Sequence, residues 1–340
     1  MSSKKPTIKD VARLAGVSFK TVSRVVNNEA WVSDDIKTRV QAVIAQLNYQ
    51  PNRTARLMRT APFSLAFVYD NPNSHYVIEM QNGILSQCRQ KGFELVIHPT
   101  DSHSGQVLQE LTTIIGSNQV GGVILTPPLS ENRELVQQLL AQQAKVVRIV
   151  SGSAPPDDLC PTIYVDDEQA GFSITRHLLT QGHRRIAFLG YHKDHQSSLG
   201  RYRGYCAALH EAGLTVSEQL VITGDFTFDS GVAMTEQLLQ RGDKPSALFG
   251  CNDEIAAGAL FTARMHQLAV PQDLSIVGFE NSPFSRQTWP RLTTVHQPNA
   301  EIAAKAADLL IGLMLESEQH SEHCGFELQL VLRDSVSLLS

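Results

Sequence analysis

The hydrophobic positions of this 340-residue chain follow two different rhythms. From Ile8 to Leu47 they recur every three or four residues: Ile8, Val11, Ala12 and Ala15, then Val22, Val25 and Val26, then Ile36, Val40, Val43, Ile44 and Leu47. That spacing predicts three short amphipathic helices. Thr7 with Asp10 makes a capping-box-like start, Gly16 breaks the first helix, and Ser18 and Ser33 are placed to cap the second and third. From Phe63 onward the pattern changes to short, continuous apolar runs separated by amphipathic segments: SLAFVYD, FELVIHP, GGVILTP, VVRIV, TIYVD, RIAFLG, QLVITGDF, ALFGCN and SIVGF. Such runs suit parallel strands buried on both faces, and their alternation with helices predicts α/β units.

The α/β part carries an internal echo. SLAFVYD…NGILSQCRQKGFELVIHP and RIAFLGY…RGYCAALHEAGLTVSEQLVITGDF share the order strand, loop, helix, glycine, strand. Two similar subdomains are therefore expected rather than one long sheet. In such sheets ligands sit at the carboxyl ends of the strands, here facing a cleft between the halves.

Between the two parts lies YQPNRTARLMRT. Pro51 ends the third helix, and the cationic segment after it, with Arg53, Arg56, Arg59, Leu57 and Met58, covers only about two helical turns. A helix that short should not be stable alone in water, so the segment is either a plain linker or a hinge that folds only on DNA, with an apolar side chain wedged into the minor groove. The expected division is a helix-turn-helix domain at 1–50, a hinge at 51–61 and a ligand-binding and dimerisation domain at 62–340. Within the last, one subdomain is expected at about 62–161 and 293–323, the other at about 162–292 and 324–340.

Charge sharpens this division. The chain is acidic overall, at −5, but residues 1–60 hold eleven Lys and Arg against four Asp and Glu, a charge of +7 that leaves −12 for the remainder. Only the head is suited to a polyanion. On its second helix Phe19, Lys20, Ser23, Arg24 and Asn27 share the face opposite the valines. Arg24 can donate twice to guanine, Lys20 to guanine or phosphate, and Phe19 can pack on a thymine methyl. Ser18, Thr21 and Asn27 are placed for phosphates.

In the body, polar residues collect at strand ends: Asp70 and Asn71, Asp225 and Phe226, Asn252 and Asp253, Glu280 and Asn281, with Arg201 in the loop and helix start after RIAFLGY. Carboxylates, amides, one arginine and an aromatic ring suit a polyhydroxylated ligand, held by fork-like hydrogen bonds and ring stacking.

The first sixty residues resemble the DNA-binding head of the lac/galactose repressor (LacI/GalR) family, through TIKDVARLAGVS…TVSRVVNN…VS…R…V…LNYQPN…AR. The resemblance extends over the body, and implies an N-terminal all-α helix-turn-helix domain joined to an α/β periplasmic-binding-protein-like (type I) effector domain of two parallel-sheet subdomains with three crossovers. By resemblance Phe19, Lys20 and Arg24 read bases, and Ala55 and Met58 sit where the hinge enters the minor groove. Thr7, Ser18, Thr21, Ser23, Asn27, Tyr49, Asn52, Arg53 and Arg56 complete the implied DNA contacts. The family's hinge wedge is usually Leu, so Met58 is a departure. In the body GRYRGY makes Arg201 the effector-contacting arginine, GDF makes Phe226 an aromatic wall, CND makes Asn252 a hydrogen-bonding ligand, and PRLTTVHQP places Gln297 near the cleft. Asp70, Tyr76 and Glu280 complete the implied effector site. Two positions depart from the family: GFEN puts Glu280 where Asp is usual, and within VVRIVSG, Val150 or Ser151 stands where the family has Asp.

The expected partners are pseudo-palindromic operator DNA, a sugar or sugar-phosphate effector, and a second copy of the chain. Nothing resembling a C-terminal heptad extension follows VLRDSVSLLS, so a homodimer is expected rather than a lac-type tetramer. The N-terminus has no apolar signal-peptide core, no apolar run approaches membrane-spanning length, and the five scattered cysteines suit reduced thiols, so a cytoplasmic protein with no membrane partner is expected. No cofactor, metal or catalytic residue is expected. HSEHC (His320 to Cys324) lacks regular zinc spacing, and the neighbouring pairs Asp157–Asp158 and Asp166–Asp167 read as loop or cap residues. The rival readings are a solute-binding protein of the same body fold and a sugar-acting enzyme using Asp70, Glu280 or Asp225.

Overall fold

The computed structural model describes residues 7–26, 32–47, 64–71, 74–117, 119–193, 195–241, 244–315 and 322–339. The chain divides into two compact units, Met1–Ala61 and Pro62–Ser340. Asn27, Tyr49, Asn52, Arg53, Ala55, Arg56 and Met58, and with them the expected hinge, lie outside the described residues.

The first unit contains α1 (Ile8–Ala15), α2 (Phe19–Val26) and α3 (Asp34–Gln46). The carboxylate of Asp10 accepts from the backbone N–H of Thr7 at 2.9 Å and from its hydroxyl at 2.7 Å, so a shortened capping box forms with Asp in place of Glu. Gly16 ends α1 in the left-handed region (φ 67°), which a residue with a Cβ would enter at a cost. Val11, Ala12, Ala15, Val22, Val25, Val32, Val40 and Val43 form one small core.

The second unit holds two parallel sheets. The six-stranded sheet, ordered β11-β5-β4-β3-β1-β2, comprises β1 (Ser64–Tyr69), β2 (Glu94–Pro99), β3 (Gly122–Leu125), β4 (Val146–Ser151), β5 (Thr162–Val165) and β11 (His323–Phe326). Its connecting helices are α4 (Ser74–Lys91), α5 (Val107–Gly116) and α6 (Arg133–Ala141). The four-stranded sheet, ordered β7-β6-β8-β9, comprises β6 (Ile186–Tyr191), β7 (Val221–Thr223), β8 (Ala247–Gly250) and β9 (Ser275–Val277). Helices α7 (Asp167–Thr180), α8 (Gln196–Glu211), α9 (Phe228–Leu239) and α10 (Asp253–Met265) contribute to its core, followed by α11 (Pro283–Gln287). β10 (Thr294–His296) and β12 (Gln329–Val331) form an antiparallel pair, and α12 (Asn299–Leu315) packs back on the six-stranded sheet.

The chain changes sheets three times, after β5, between β10 and α12, and between β11 and β12. The subdomain boundaries expected at 161/162, 292/293 and 323/324 are each displaced. Thr162–Val165 pairs with β4 and β11 pairs with β5, so both belong to the first sheet. Thr293 to His296 instead bridge to Val277 and Glu280 on the second side. An apolar run announces a strand but does not say which sheet accepts it; the ladder partners decide that.

Helices α7 and α8 cross so closely that a Cβ on Gly204 would lie 2.0 Å from the carbonyl oxygen of Glu168. This contact fixes the start of α8, and so Arg201, against the start of α7.

Candidate functional site

Helix α2 in the head is split cleanly by its period. Val22 and Val25 are buried, whereas Phe19 keeps 47% of its surface exposed and Lys20 and Arg24 are also exposed. An aromatic ring that exposed beside two cations is unusual on a helix whose other face is packed. Ser23 is half-buried beside them. Ser18 caps the helix, its Oγ accepting from the N–H of Thr21 at 3.1 Å and lying 2.9 Å from that residue's hydroxyl. Thr7 and Ser18 thus stand at the exposed N-termini of α1 and α2, where backbone N–H groups favour a phosphate.

The body contains a cleft at the carboxyl ends of strands from both sheets. It encloses about 580 Å³, counting space open to solvent at its mouth. Arg201, near the start of α8, is buried at its centre. Its Nε donates to Asp167 Oδ1 at 2.8 Å, one terminal nitrogen donates to the carbonyl of Cys251 at 2.7 Å, and the other reaches Gln297 Oε1 at 3.4 Å. Phe279 lies under the guanidinium, 3.8 Å from ring centre to Cζ. Glu280 Oε1 stands 3.9 Å from the same group. Burial opposes the charge of Arg201, but Asp167 and Glu280 more than offset it, so the guanidinium stays firmly cationic. For Asp167, burial pushes the carboxyl upward while Arg201 and the hydroxyl of Ser151, donating at 2.7 Å, pull it back.

Glu280 and Asn281 both have left-handed backbones, with φ 97° and 56°. Two consecutive non-glycine residues in that region are strained and must be held by their surroundings. Here the N–H of Glu280 donates to Val295 at 2.8 Å, and Asn281 receives a hydrogen bond from Arg333 and meets His296 Nδ1 at 3.2 Å. The bend brings Glu280 to the cleft wall.

Tyr76, from α4, is buried on the first-sheet side; burial and the charge of Glu280 keep its phenol neutral. Phe226 forms the opposite wall, with His195 edge-on at 5.0 Å. Asn252 caps α10 through Oδ1 to the N–H of Ile255 at 2.8 Å, while its Nδ2 donates to the carbonyl of Phe226 at 2.9 Å. Asn252 therefore positions the Phe226 wall as well as lining the cleft.

Tyr76, Arg201, Phe226, Asn252, Glu280 and Gln297 are thus brought together. Asp70 is not. Its carboxylate accepts from the backbone and hydroxyl of Ser102, and Asn71 beside it lines the cleft instead. A strand-end carboxylate next to a loop is drawn to the loop's N–H groups as readily as to a ligand. Asp225 is exposed and also outside the lining.

Sequence reading misplaced Asp167 and missed His195 and Ser197. Asp166 is indeed a cap, accepting from the N–H of Gln169 at 2.9 Å, but Asp167 turns inward to Arg201. An acid one residue inside an N-cap was the available signal. Among the described residues no group of three His, Cys, Asp or Glu side chains is arranged to hold a metal.

Residues 7–52 match the model described as bacterial regulatory proteins, lacI family, and residues 175–336 match the periplasmic binding protein-like domain. The HTH-type transcriptional repressor PurR of Actinobacillus pleuropneumoniae serotype 3 (strain JL03) is 32% identical over 98% of this chain and 99% of its own length. Among solved structures, the transcriptional regulator CelR–cellobiose complex matches with a TM-score of 0.73 and 30% identity, covering 97% of this chain and 99% of that one. The lac repressor dimer bound to operator and the anti-inducer ONPF matches with a TM-score of 0.71 and 26% identity, over 99% and 100% of the two chains. With a helix-turn-helix head and a two-sheet body of this kind, the chain belongs to the lacI family of bacterial regulatory proteins, DNA-binding repressors of transcription.

Proposed function

We propose that the chain acts in the cytoplasm as a homodimeric repressor of carbohydrate-utilisation genes whose operator affinity is set by a sugar bound in the cleft. The observation that carries the reading is the placement of Arg201. It is held by Asp167 and Gln297, both at points where the chain passes between sheets, so a ligand that engages Arg201 touches the connections on which subdomain rotation depends. The bound sugar favours one relation of the two halves, and the hinge segment of each protomer pairs on DNA in only one of them. A coupling of about 1–3 kcal/mol is usual for such linkage and changes occupancy roughly 5- to 150-fold.

On the DNA side, Arg24, Lys20 and Phe19 read base edges, Thr7, Ser18, Thr21, Ser23, Asn27, Tyr49 and Asn52 set register on the backbone, and the segment with Arg53, Ala55, Arg56 and Met58 enters the minor groove. Two heads on one dimer demand a two-fold symmetric site with half-sites one or two helical turns apart. Selection from random-sequence duplexes tests this directly, and recovery of only asymmetric sites would overturn it. Screening mono- and disaccharides by thermal shift then identifies the effector, because a ligand that binds only the native state raises apparent stability. Arg201→Ala is expected to retain operator binding and lose the response to that sugar; a normal response would remove the cleft from the mechanism.

A further inference from the structure

The charges around the cleft are unbalanced. Among the described residues that line it, Arg201 is the one Lys or Arg, while two carboxylates, Asp167 and Glu280, face it within 4 Å. His195 adds no compensating charge: burial, then the fields of Arg201 and His192, hold its imidazole down at about 4, so it is neutral under ordinary conditions. Glu131, on the short turn Leu129–Glu131 beside the lining, accepts from the N–H of Ser151 at 3.3 Å, but burial raises its carboxyl to about 7, so the excess of negative charge rests on Asp167 and Glu280. Arg201 is also largely spent. Three of the five N–H groups of a guanidinium are committed to Asp167, Cys251 and Gln297. The centre of the cleft thus carries a net negative charge and is rich in acceptors.

Resting on the sugar reading above, we infer that the effector is an uncharged sugar, and that phosphorylated sugars and sugar acids are excluded by the cleft. A hydroxyl suits this lining because it can donate to Asp167 or Glu280 while accepting from the remaining N–H groups of Arg201. A phosphate or carboxylate can only accept, and would meet two acids with one arginine already neutralised. Beside charged groups as buried as Arg201 and Asp167 that repulsion is screened far less than at a surface.

The test uses the full-length chain and a matched set of compounds: neutral mono- and disaccharides, the phosphate ester of each, and the corresponding aldonic or uronic acid. Thermal shift finds binders and calorimetry gives their Kd. The expected result is stabilisation by a neutral sugar, with its phosphate and acid forms on the order of a hundredfold weaker. Glu280→Gln should narrow that gap by about tenfold, because the acid contributes the repulsion. A gap unchanged in Glu280→Gln is steric in origin and overturns the inference. So does tight binding of a phosphorylated or acidic sugar to the wild-type chain that is lost in Arg201→Ala, although the sugar reading then survives. If no compound of any charge binds, the sugar reading itself fails and this inference falls with it.

Discussion

The exposed face of α2 in the head and the cleft of the body are built in opposite ways. On α2, Phe19, Lys20 and Arg24 lie within two turns of one helix, and their backs are the buried Val22 and Val25. The cleft draws residues from Asn71 to Gln297, carried by both sheets and by the segments that pass between them. In the head the three side chains share one exposed face of a single helix. In the cleft the charged groups hold one another: Arg201 needs Asp167, which needs Ser151. A local site can be edited one residue at a time, whereas a convergent buried site responds as a unit.

Arg201→Ala should therefore have the largest effect. It strands Asp167 in a fully buried position without its cation, and breaking one side of a buried ion pair costs about 3–5 kcal/mol. Urea unfolding of the body should show that loss. The double variant Arg201→Ala, Asp167→Ala should lose much less than the sum of the two single changes, because no uncompensated charge remains. Additive losses would mean that the two residues do not act as a pair.

Arg24→Ala is the contrasting edit in the head. It should leave unfolding of the chain within about 0.5 kcal/mol of wild type, as exposed substitutions do. In binding it should cost about 1–3 kcal/mol, concentrated at one base-pair position of the selected site. An equal loss across all site variants would make Arg24 a phosphate contact rather than a base reader.

The same contrast explains what the sequence could and could not reveal. The face of α2 was legible because a 3.6-residue period assigns each side chain to a side without reference to anything distant. The strands of the body were legible as apolar runs, and strand-end chemistry pointed to Arg201, Phe226, Asn252 and Glu280. What was not legible was choice between neighbours. Asp70 and Asn71 stand side by side, and only the position of Ser102 settles which faces the cleft. Asp166 and Asp167 pose the same problem: one caps its own helix and the other meets an arginine 34 residues away. The sheet allegiance of Thr162–Val165 and Thr294–His296 was hidden for a related reason, since strand character is local but ladder partners are not.

The smallest expected effect sharpens the comparison at the cleft, between a half-buried base in its lining and a half-buried acid beside it. The imidazole of His195 is held at about 4 by burial, then by the guanidinium of Arg201 and the neighbouring His192, against an ordinary value of 6.5. Between those values the unfolded chain binds the proton more tightly, so the contribution of neutral His195 is complete above pH 6.5 and is lost as pH falls toward 4. Glu131 is raised to about 7, chiefly by burial, despite hydrogen bonds from the backbone of Ser151 and Gln196. Its native state holds the proton more tightly than the unfolded chain, so acidification from pH 7 toward 4.5 adds stability. Each slope is at most about 1.4 kcal/mol per pH unit, and the two oppose each other over the same window. The wild-type melting temperature can hide both, but the differences from it cannot. Relative to wild type, His195→Asn should gain stability between pH 7 and pH 5, while Glu131→Gln should lose it. Melting curves of the two variants and the parent at both pH values decide the matter: differences of the same sign, or none, would mean that these groups are solvated in the folded protein and that water enters the cleft more freely than its geometry implies.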